Sequence, residues 1–150
     1  MGKLVLTRGI PASGKTTWAK AWVSEDPERR VRVNRDDLRC MMFGGDVLKL
    51  DWERESQVTY AEQTIAVSAL VRGMDVVVDA TNLRWGFARQ WFKFGYEVVV
   101  RDFPVSLDVA LARNAARGCP VPDSVVERFY RDVSVGLWEV PTGSVRVTSG

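Results

Sequence analysis

The sequence predicts an α/β fold, a parallel sheet of four or five strands with helices on both faces, and three observations predict it. Short apolar runs alternate with segments of helical spacing along most of the chain. One of those runs, Val76-Val77-Val78, is continuous rather than alternating, as in a parallel strand covered on both sides. The third is Gly9-Ile10-Pro11-Ala12-Ser13-Gly14-Lys15-Thr16, a G-x-x-x-x-G-K-T sequence directly after the apolar run Leu4-Val5-Leu6 and before a helical pattern. In such a loop the glycines let successive backbone N–H groups turn inward on a phosphate chain, and the following helix presents its positive end to the same anion. Strand, loop and helix together describe a P-loop nucleotide-binding fold of the NTPase and kinase type, with ligands at the carboxyl ends of the strands.

Taken in order, Lys3 to Thr7 reads as a buried strand, and Trp18, Ala19, Trp22 and Val23 mark one face of the helix that Asp26-Pro27 breaks. Val31 to Val33 reads as a second strand leading into Asn34-Arg35-Asp36-Asp37-Leu38-Arg39, with a helix starting at Asp36 or Asp37 and stopping by Gly44-Gly45. Trp52 to Arg72 keeps Val58, Ala61, Ile65, Ala69 and Leu70 on a helical stripe that ends at Gly73. After the valine strand, closed by Asp79, Thr81-Asn82 is placed to cap a helix from Arg84 to Phe94. Tyr96 to Phe103 supplies a further strand. Ser106 caps the next helix, which ends near Gly118, and a last helix begins at Asp123 and carries Val126, Phe129, Tyr130 and Val133. Residues 138–150 read either as a short edge strand over Ser144 to Thr148 or as a tail. Of the six tryptophans, Trp18, Trp22, Trp85 and Trp91 fall on apolar helical faces and are expected in the core, whereas Trp52 and Trp138 are less constrained.

At 150 residues and 46% hydrophobic, the chain has material for one well-buried core and not for two ordinary domains, so residues 1–150 are read as one domain. A net charge of +2 does not by itself announce a nucleic-acid partner; a polyanion would be gripped by a local patch. With no apolar run near 18 residues and no signal-like N-terminus, a cytoplasmic location without membrane contact is expected. Cys40 and Cys119 are isolated and histidine is absent, which argues against a structural zinc site and against Ser-His or Cys-His nucleophiles. The chemistry is left to carboxylates, Arg, Lys and a hard cation.

The loop assigns its own roles. Gly9, Ser13, Gly14, Lys15, Thr16 and Thr17 form the nucleotide-binding set; Lys15 reaches the β- and γ-phosphates of ATP, and the Thr16 hydroxyl ligates Mg²⁺. Asp79, at the end of the valine strand, matches the acidic residue that completes the Mg²⁺ shell, with capping of the following turn as the structural alternative. Asp36 follows the second strand and should project over the same sheet edge, where a carboxylate takes the proton of an attacking hydroxyl; the alternative is a helix cap. Arg39, three residues on, shares its helical face and is placed either to hold an anionic substrate group or to face solvent. Arg113 and Arg117, four apart before a Gly-Cys-Pro turn, suit a lid over the transferring phosphoryl group; complementing a helix dipole is the alternative.

Taken together, Leu6 to Ala19, Asn34-Arg35-Asp36-Asp37-Leu38-Arg39, Asp79-x-Thr81-Asn82-Leu83, Arg113-Asn114-x-x-Arg117-Gly118 and Val121-Pro122 resemble the 5′-kinase domain of the T-even bacteriophage polynucleotide kinase-phosphatase family. The resemblance runs from the first strand to the last helix. It implies an ATP- and Mg²⁺-dependent enzyme acting on 5′-hydroxyl ends of DNA or RNA, with Asp36 as general base and Arg39 on the acceptor's 3′-phosphate. Lys15, Arg113 and Arg117 would stabilise the phosphoryl group, Thr16 and Asp79 would serve Mg²⁺, and Val121 and Val125 would pack on the acceptor base. The chain departs from that family in lacking Asp-x-Asp-Gly-Thr, so 3′-phosphatase activity is not expected, and in the stretch between Phe43 and Asp51 and the turn around Cys119. Two other readings stay open: a kinase on the same frame for a hydroxymethylated base in DNA or for a small molecule, and a non-catalytic nucleotide-binding switch or ATPase module.

Overall fold

The computed structural model describes residues 2–44, 50–118 and 120–149. Five parallel strands, β1 (Leu4–Arg8), β2 (Arg30–Asn34), β3 (Asp75–Asp79), β4 (Val98–Asp102) and β5 (Val145–Thr148), lie in the order β2-β3-β1-β4-β5. The helices are α1 (Lys15–Glu25), α2 (Arg35–Phe43), α3 (Trp52–Val71), α4 (Trp85–Ala88), α5 (Leu107–Ala115) and α6 (Asp123–Val135).

Side-chain alternation along the strands divides the core. Leu4, Leu6, Val76, Val78, Val98 and Val100 project to one face, beneath Val58, Ala66, Ala69 and Leu70 of α3 and beside Trp91. Val5 and Val77 project to the other, against Ala19 of α1 and the half-buried Trp18 and Trp22. Val76, Val77 and Val78 are all fully buried, which is why that run shows no polar alternation. A third cluster, Ile10, Ala110 and Val126, joins the loop after β1 to α5 and α6 above the strand ends.

The expected strands and most helices are present, with boundaries shifted by one or two residues. α2 starts at Arg35 and is capped by Asn34, whose side chain accepts from the Asp37 N–H, so neither Asp36 nor Asp37 is spent on capping. Ser106 caps α5 as expected, accepting from Val109 N–H, and Ser144 to Thr148 resolves as an edge strand. Four expectations are corrected. The helix over Arg84 to Phe94 is one α-turn, Trp85–Ala88, followed by a 3₁₀ turn, Arg89–Phe92. Asn82 does not cap it; at φ 47° its side chain amide donates inward to the Thr7 carbonyl. With so short a helix, Trp85 is 40% exposed rather than core, resting on Phe92 and Trp138. α5 ends at Ala115, so Arg117 lies beyond it: its N–H bonds the Asn114 carbonyl, and the Asn114 side chain clamps the backbone of Val121. The sequence departures around Cys119 and between Phe43 and Asp51 fall at or beside residues 45–49 and 119, outside the described residues.

Candidate active site

The loop between β1 and α1 is built for close approach. A Cβ on Gly9 would stand 2.8 Å from Ser13 Oγ and 3.1 Å from the Phe103 carbonyl, and Gly14 sits at φ 97°, a conformation costly for other residues. The loop therefore needs both glycines. Inside it, buried Lys15 Nζ donates to the Ile10 carbonyl at 2.6 Å and Ser13 Oγ at 3.2 Å. Thr16 and Thr17 follow in the first turn of α1, both exposed.

Burial pushes the Lys15 ammonium down from its ordinary 10.5 to about 8; the charges of Asp79 and Asp36 oppose the shift and that of Arg117 adds to it. Between pH 8 and 10.5 the unfolded chain thus holds the proton that the folded chain has lost, so this group favours folding progressively as pH rises through that window. An arriving phosphate reverses the balance by stabilising the ammonium. Nucleotide binding is accordingly expected to take up close to one proton above pH 8 and to weaken as pH rises further. Calorimetric titration of ADP in buffers of different ionisation enthalpy reads that uptake; no proton uptake at pH 9, or the same uptake in Lys15→Gln, contradicts it.

Asp79 is almost wholly buried at the end of β3. Its Oδ2 accepts from the Thr16 hydroxyl at 2.9 Å, from Arg32 Nε and Nη2 at 2.9 Å each, and from the Asn34 amide at 3.2 Å. Thr16 and Asp79 are thus in direct contact, and both are hard oxygen donors of the kind Mg²⁺ takes alongside water and phosphate oxygens. Among the described residues no cluster of three His, Cys, Asp or Glu side chains forms a cation cage.

Asp36 stands in the first turn of α2 with its side chain 83% exposed, and its Oδ1 accepts from Arg39 Nη1 at 2.6 Å. Arg39 also forks onto Glu55 of α3, Nε to Oε1 at 3.0 Å and Nη2 to Oε2 at 3.2 Å. Arg35 bridges Glu55 at 2.6 Å and Glu62 at 3.1 Å. Burial would raise the Glu55 carboxyl, but the bonds from Arg39 and Arg35 hold it below the ordinary range. For Glu62 burial prevails over Arg35, and its carboxyl is pushed up. This ion cluster fixes α2 to α3 and with it the place of Asp36.

From the opposite side the α5–α6 segment brings two exposed cations. Arg113 Nη1 lies 3.7 Å from where a Cβ of Gly14 would stand, and the charge of Arg117 is felt at Lys15. Among the described residues neither forms an ion pair, in contrast to Arg8, Arg32, Arg35 and Arg39. Val121 packs against the Ile10, Ala110 and Val126 cluster, with its backbone held by Asn114, whereas half-buried Val125 lies outside that cluster.

A family model described as an AAA domain, AAA_33, matches residues 4–134. The chain belongs to that family. As an AAA_33 domain it carries the P-loop kinase-type α/β fold described above. It is 23% identical over 97% of its length to L-seryl-tRNA(Sec) kinase of Methanococcus maripaludis, of which it spans 59%. Two structures of a Pnkp1/Rnl/Hen1 complex, the first titled an RNA repair complex, are similar to it. The first is 24% identical with a TM-score of 0.77 over 89% of this chain and 44% of the other. The second is 28% identical with a TM-score of 0.67 over 75% and 38%. A structure described as a putative kinase from Chloroflexus aurantiacus shares the fold at 20% identity, with a TM-score of 0.72 over 98% of this chain and 86% of the other. This AAA_33 domain thus spans less than two thirds of the curated relative and of either complex chain.

Several residues around the site of this AAA_33 domain are given no role by the sequence: Arg32 and Asn34 on Asp79, Arg35, Glu55 and Glu62 in the ion cluster, and Asn114 on the Val121 backbone. One signal was available for the acids. Glu55 and Glu62 are seven apart in α3, and Glu62 sits four after buried Val58 on the apolar stripe, where an unpaired carboxylate would be costly. A cleft of about 280 Å³ also opens beside Gly9 and Ile10, between α6 and the ends of β4 and β5, over the buried Arg8–Asp102 pair. Among the described residues, no helix is long and apolar enough to cross a membrane.

Proposed function

We propose that the chain is a kinase that transfers the γ-phosphate of ATP to the 5′-hydroxyl end of DNA or RNA. The observation that carries this reading is that the charges of the exposed carboxylate Asp36 and of Arg117 are both felt at buried Lys15, with Arg113 beside Gly14 of the same loop. The sequence resemblance supports a polynucleotide acceptor, and the likeness to a chain of a complex titled an RNA repair complex agrees with it.

In this mechanism Asp36 accepts the proton of the 5′-hydroxyl as its oxygen bonds to the γ-phosphorus and the bond to the β,γ-bridging oxygen breaks, leaving ADP. Lys15, Arg113 and Arg117 stabilise charge spread over the γ-oxygens, and the loop N–H groups hold the remaining phosphates. Thr16 and Asp79 would hold Mg²⁺, which when bound neutralises charge on the β- and γ-oxygens. Arg39 meets a 3′-phosphate of the acceptor by exchanging one of its carboxylate partners for it, and Val121 and Val125 pack on the acceptor base.

A second reading draws on the same guanidinium. Arg39 is already engaged by both Glu55 and Asp36, which favours an acceptor hydroxyl with no neighbouring phosphate, on a modified base or a small molecule. Incubation with Mg²⁺, γ-labelled ATP and, in parallel, a 5′-hydroxyl oligonucleotide, a 5′-phosphorylated one, a hydroxymethylated duplex and no acceptor separates these readings. Label on the first alone supports the polynucleotide reading. Label on the modified duplex supports the second, and label released only as free phosphate removes both in favour of an ATPase module. Arg39→Ala is expected to raise KM for acceptors carrying a 3′-phosphate well above that for acceptors without one. Equal losses on both would confine Arg39 to holding Asp36.

A further inference from the structure

Arg32 is used neither by the loop nor by the acceptor side, yet it occupies the carboxylate at the metal position. It leaves β2 opposite Val77 of β3, and its side chain is only 16% exposed. Its guanidinium bridges two acids: Nε and Nη2 lie 2.9 Å from Asp79 Oδ2, and Nη1 lies 2.7 Å from Asp37 Oδ2. The two acids differ greatly in exposure, 1% for Asp79 and 67% for Asp37. Burial works against the charge of Arg32, but the bonds and charges of Asp37 and Asp79 outweigh it, so the guanidinium is held firmly ionised.

This arrangement competes with a cation at Thr16. Oδ2 of Asp79 already takes hydrogen bonds from Thr16, Arg32 and Asn34, so the hydrogen of a metal-bound water either competes there with the guanidinium or turns to Oδ1. A positive charge fixed on the same oxygen also opposes a dication a few ångströms away. The Thr16 hydroxyl is not in conflict, because it donates its hydrogen to Asp79 and keeps lone pairs for a cation. Asn34 is bound to the Asp79 carbonyl as well and cannot leave without loss of the α2 cap. Arg32 is the group that can give way, since Asp37 holds its Nη1 at the exposed end.

We propose that Arg32 is the counter-charge of Asp79 in the metal-free site and sets its Mg²⁺ affinity. Mg²⁺-nucleotide displaces Nε and Nη2 from Asp79, while Asp37 retains the guanidinium through Nη1. The inference rests on nucleotide binding at the loop, the first half of the function proposed above, and is independent of which hydroxyl is phosphorylated. Arg32 is thereby a positioning and affinity-setting residue that touches neither acceptor nor phosphate.

Two measurements test it without relying on turnover. In calorimetric titrations of ADP at a series of Mg²⁺ concentrations, Arg32→Gln is expected to lower the half-saturating Mg²⁺ about tenfold, with ADP binding in EDTA no tighter than wild type. An unchanged or raised half-saturation overturns the proposal. In the wild-type protein, nitrogen-15 spectra of arginine Nε–H groups follow Arg32 directly, so folding of a variant is not at issue. Mg²⁺ with ADP is expected to shift the Arg32 signal and speed its exchange with water, whereas ADP in EDTA leaves it in place. A signal indifferent to Mg²⁺ in protein that binds ADP overturns the proposal alone; a wild-type chain that binds no ADP overturns it together with the nucleotide reading.

Discussion

Asp36→Ala is expected to lower phosphoryl transfer by about 10² to 10⁴ while ADP binding and the fold stay intact. The expectation follows from what Asp36 does not do. It is 83% exposed, the α2 cap is Asn34, and among the described residues its carboxylate accepts from Arg39 alone, which keeps its fork on Glu55 when Asp36 is gone. Removing it therefore unfastens no element. Its charge nonetheless reaches Lys15, in keeping with the base role proposed for it. Single-turnover transfer with saturating ATP and acceptor, beside ADP titrations of the same protein, separates the two effects. A variant that turns over normally would strike Asp36 from the mechanism; one that loses ADP binding would make it part of the nucleotide site instead.

The lid carries the second large effect. Replacing Arg113 and Arg117 together by Ala is expected to reduce transfer by about 10³ to 10⁵, the range for arginines that stabilise a phosphoryl group in flight. Neither has an ion-pair partner among the described residues, and both are exposed, so the change leaves the core untouched. If Arg113 only complemented the dipole at the end of α5, its loss would cost about 0.3 to 1 kcal/mol of stability and leave turnover alone. Measuring the thermal midpoint alongside the single-turnover rate distinguishes these outcomes. Asn114→Ala approaches the same lid from beneath: without the clamp on Val121, the segment bearing Arg117 loses its anchor while both cations remain.

Legibility in the sequence followed the range of the interactions. β1, β3, β4 and α3 were readable because their patterns are local consequences of burial: valines covered on both faces, or a stripe at helical spacing on one. The loop was readable because its glycines answer a local steric demand. α4 misled because Trp85 and Trp91 read as residues of an apolar helical face, whereas Asn82 reaches back to Thr7, a bond spanning 75 positions. The ion cluster stayed hidden for a similar reason: Arg35 finds Glu55 and Glu62 at separations of 20 and 27 residues, and nothing local pairs them. Arg32 shows the same limit within the site. On its strand it reads as one polar position of an alternating edge, and only the register of β2 on β3 brings it to Asp79.

The central expectation is convergence of one carboxylate from α2 and two cations from the α5–α6 segment at a phosphate held by the loop. A crystal structure of the protein with Mg²⁺, ADP, aluminium fluoride and a short 5′-hydroxyl oligonucleotide measures it most directly. The prediction is Asp36 within about 3 Å of the terminal hydroxyl, with Arg113 and Arg117 on the fluoride ligands. A complex with Asp36 still turned to Arg39 and away from the hydroxyl, and with the lid arginines clear of the phosphoryl mimic, would contradict it.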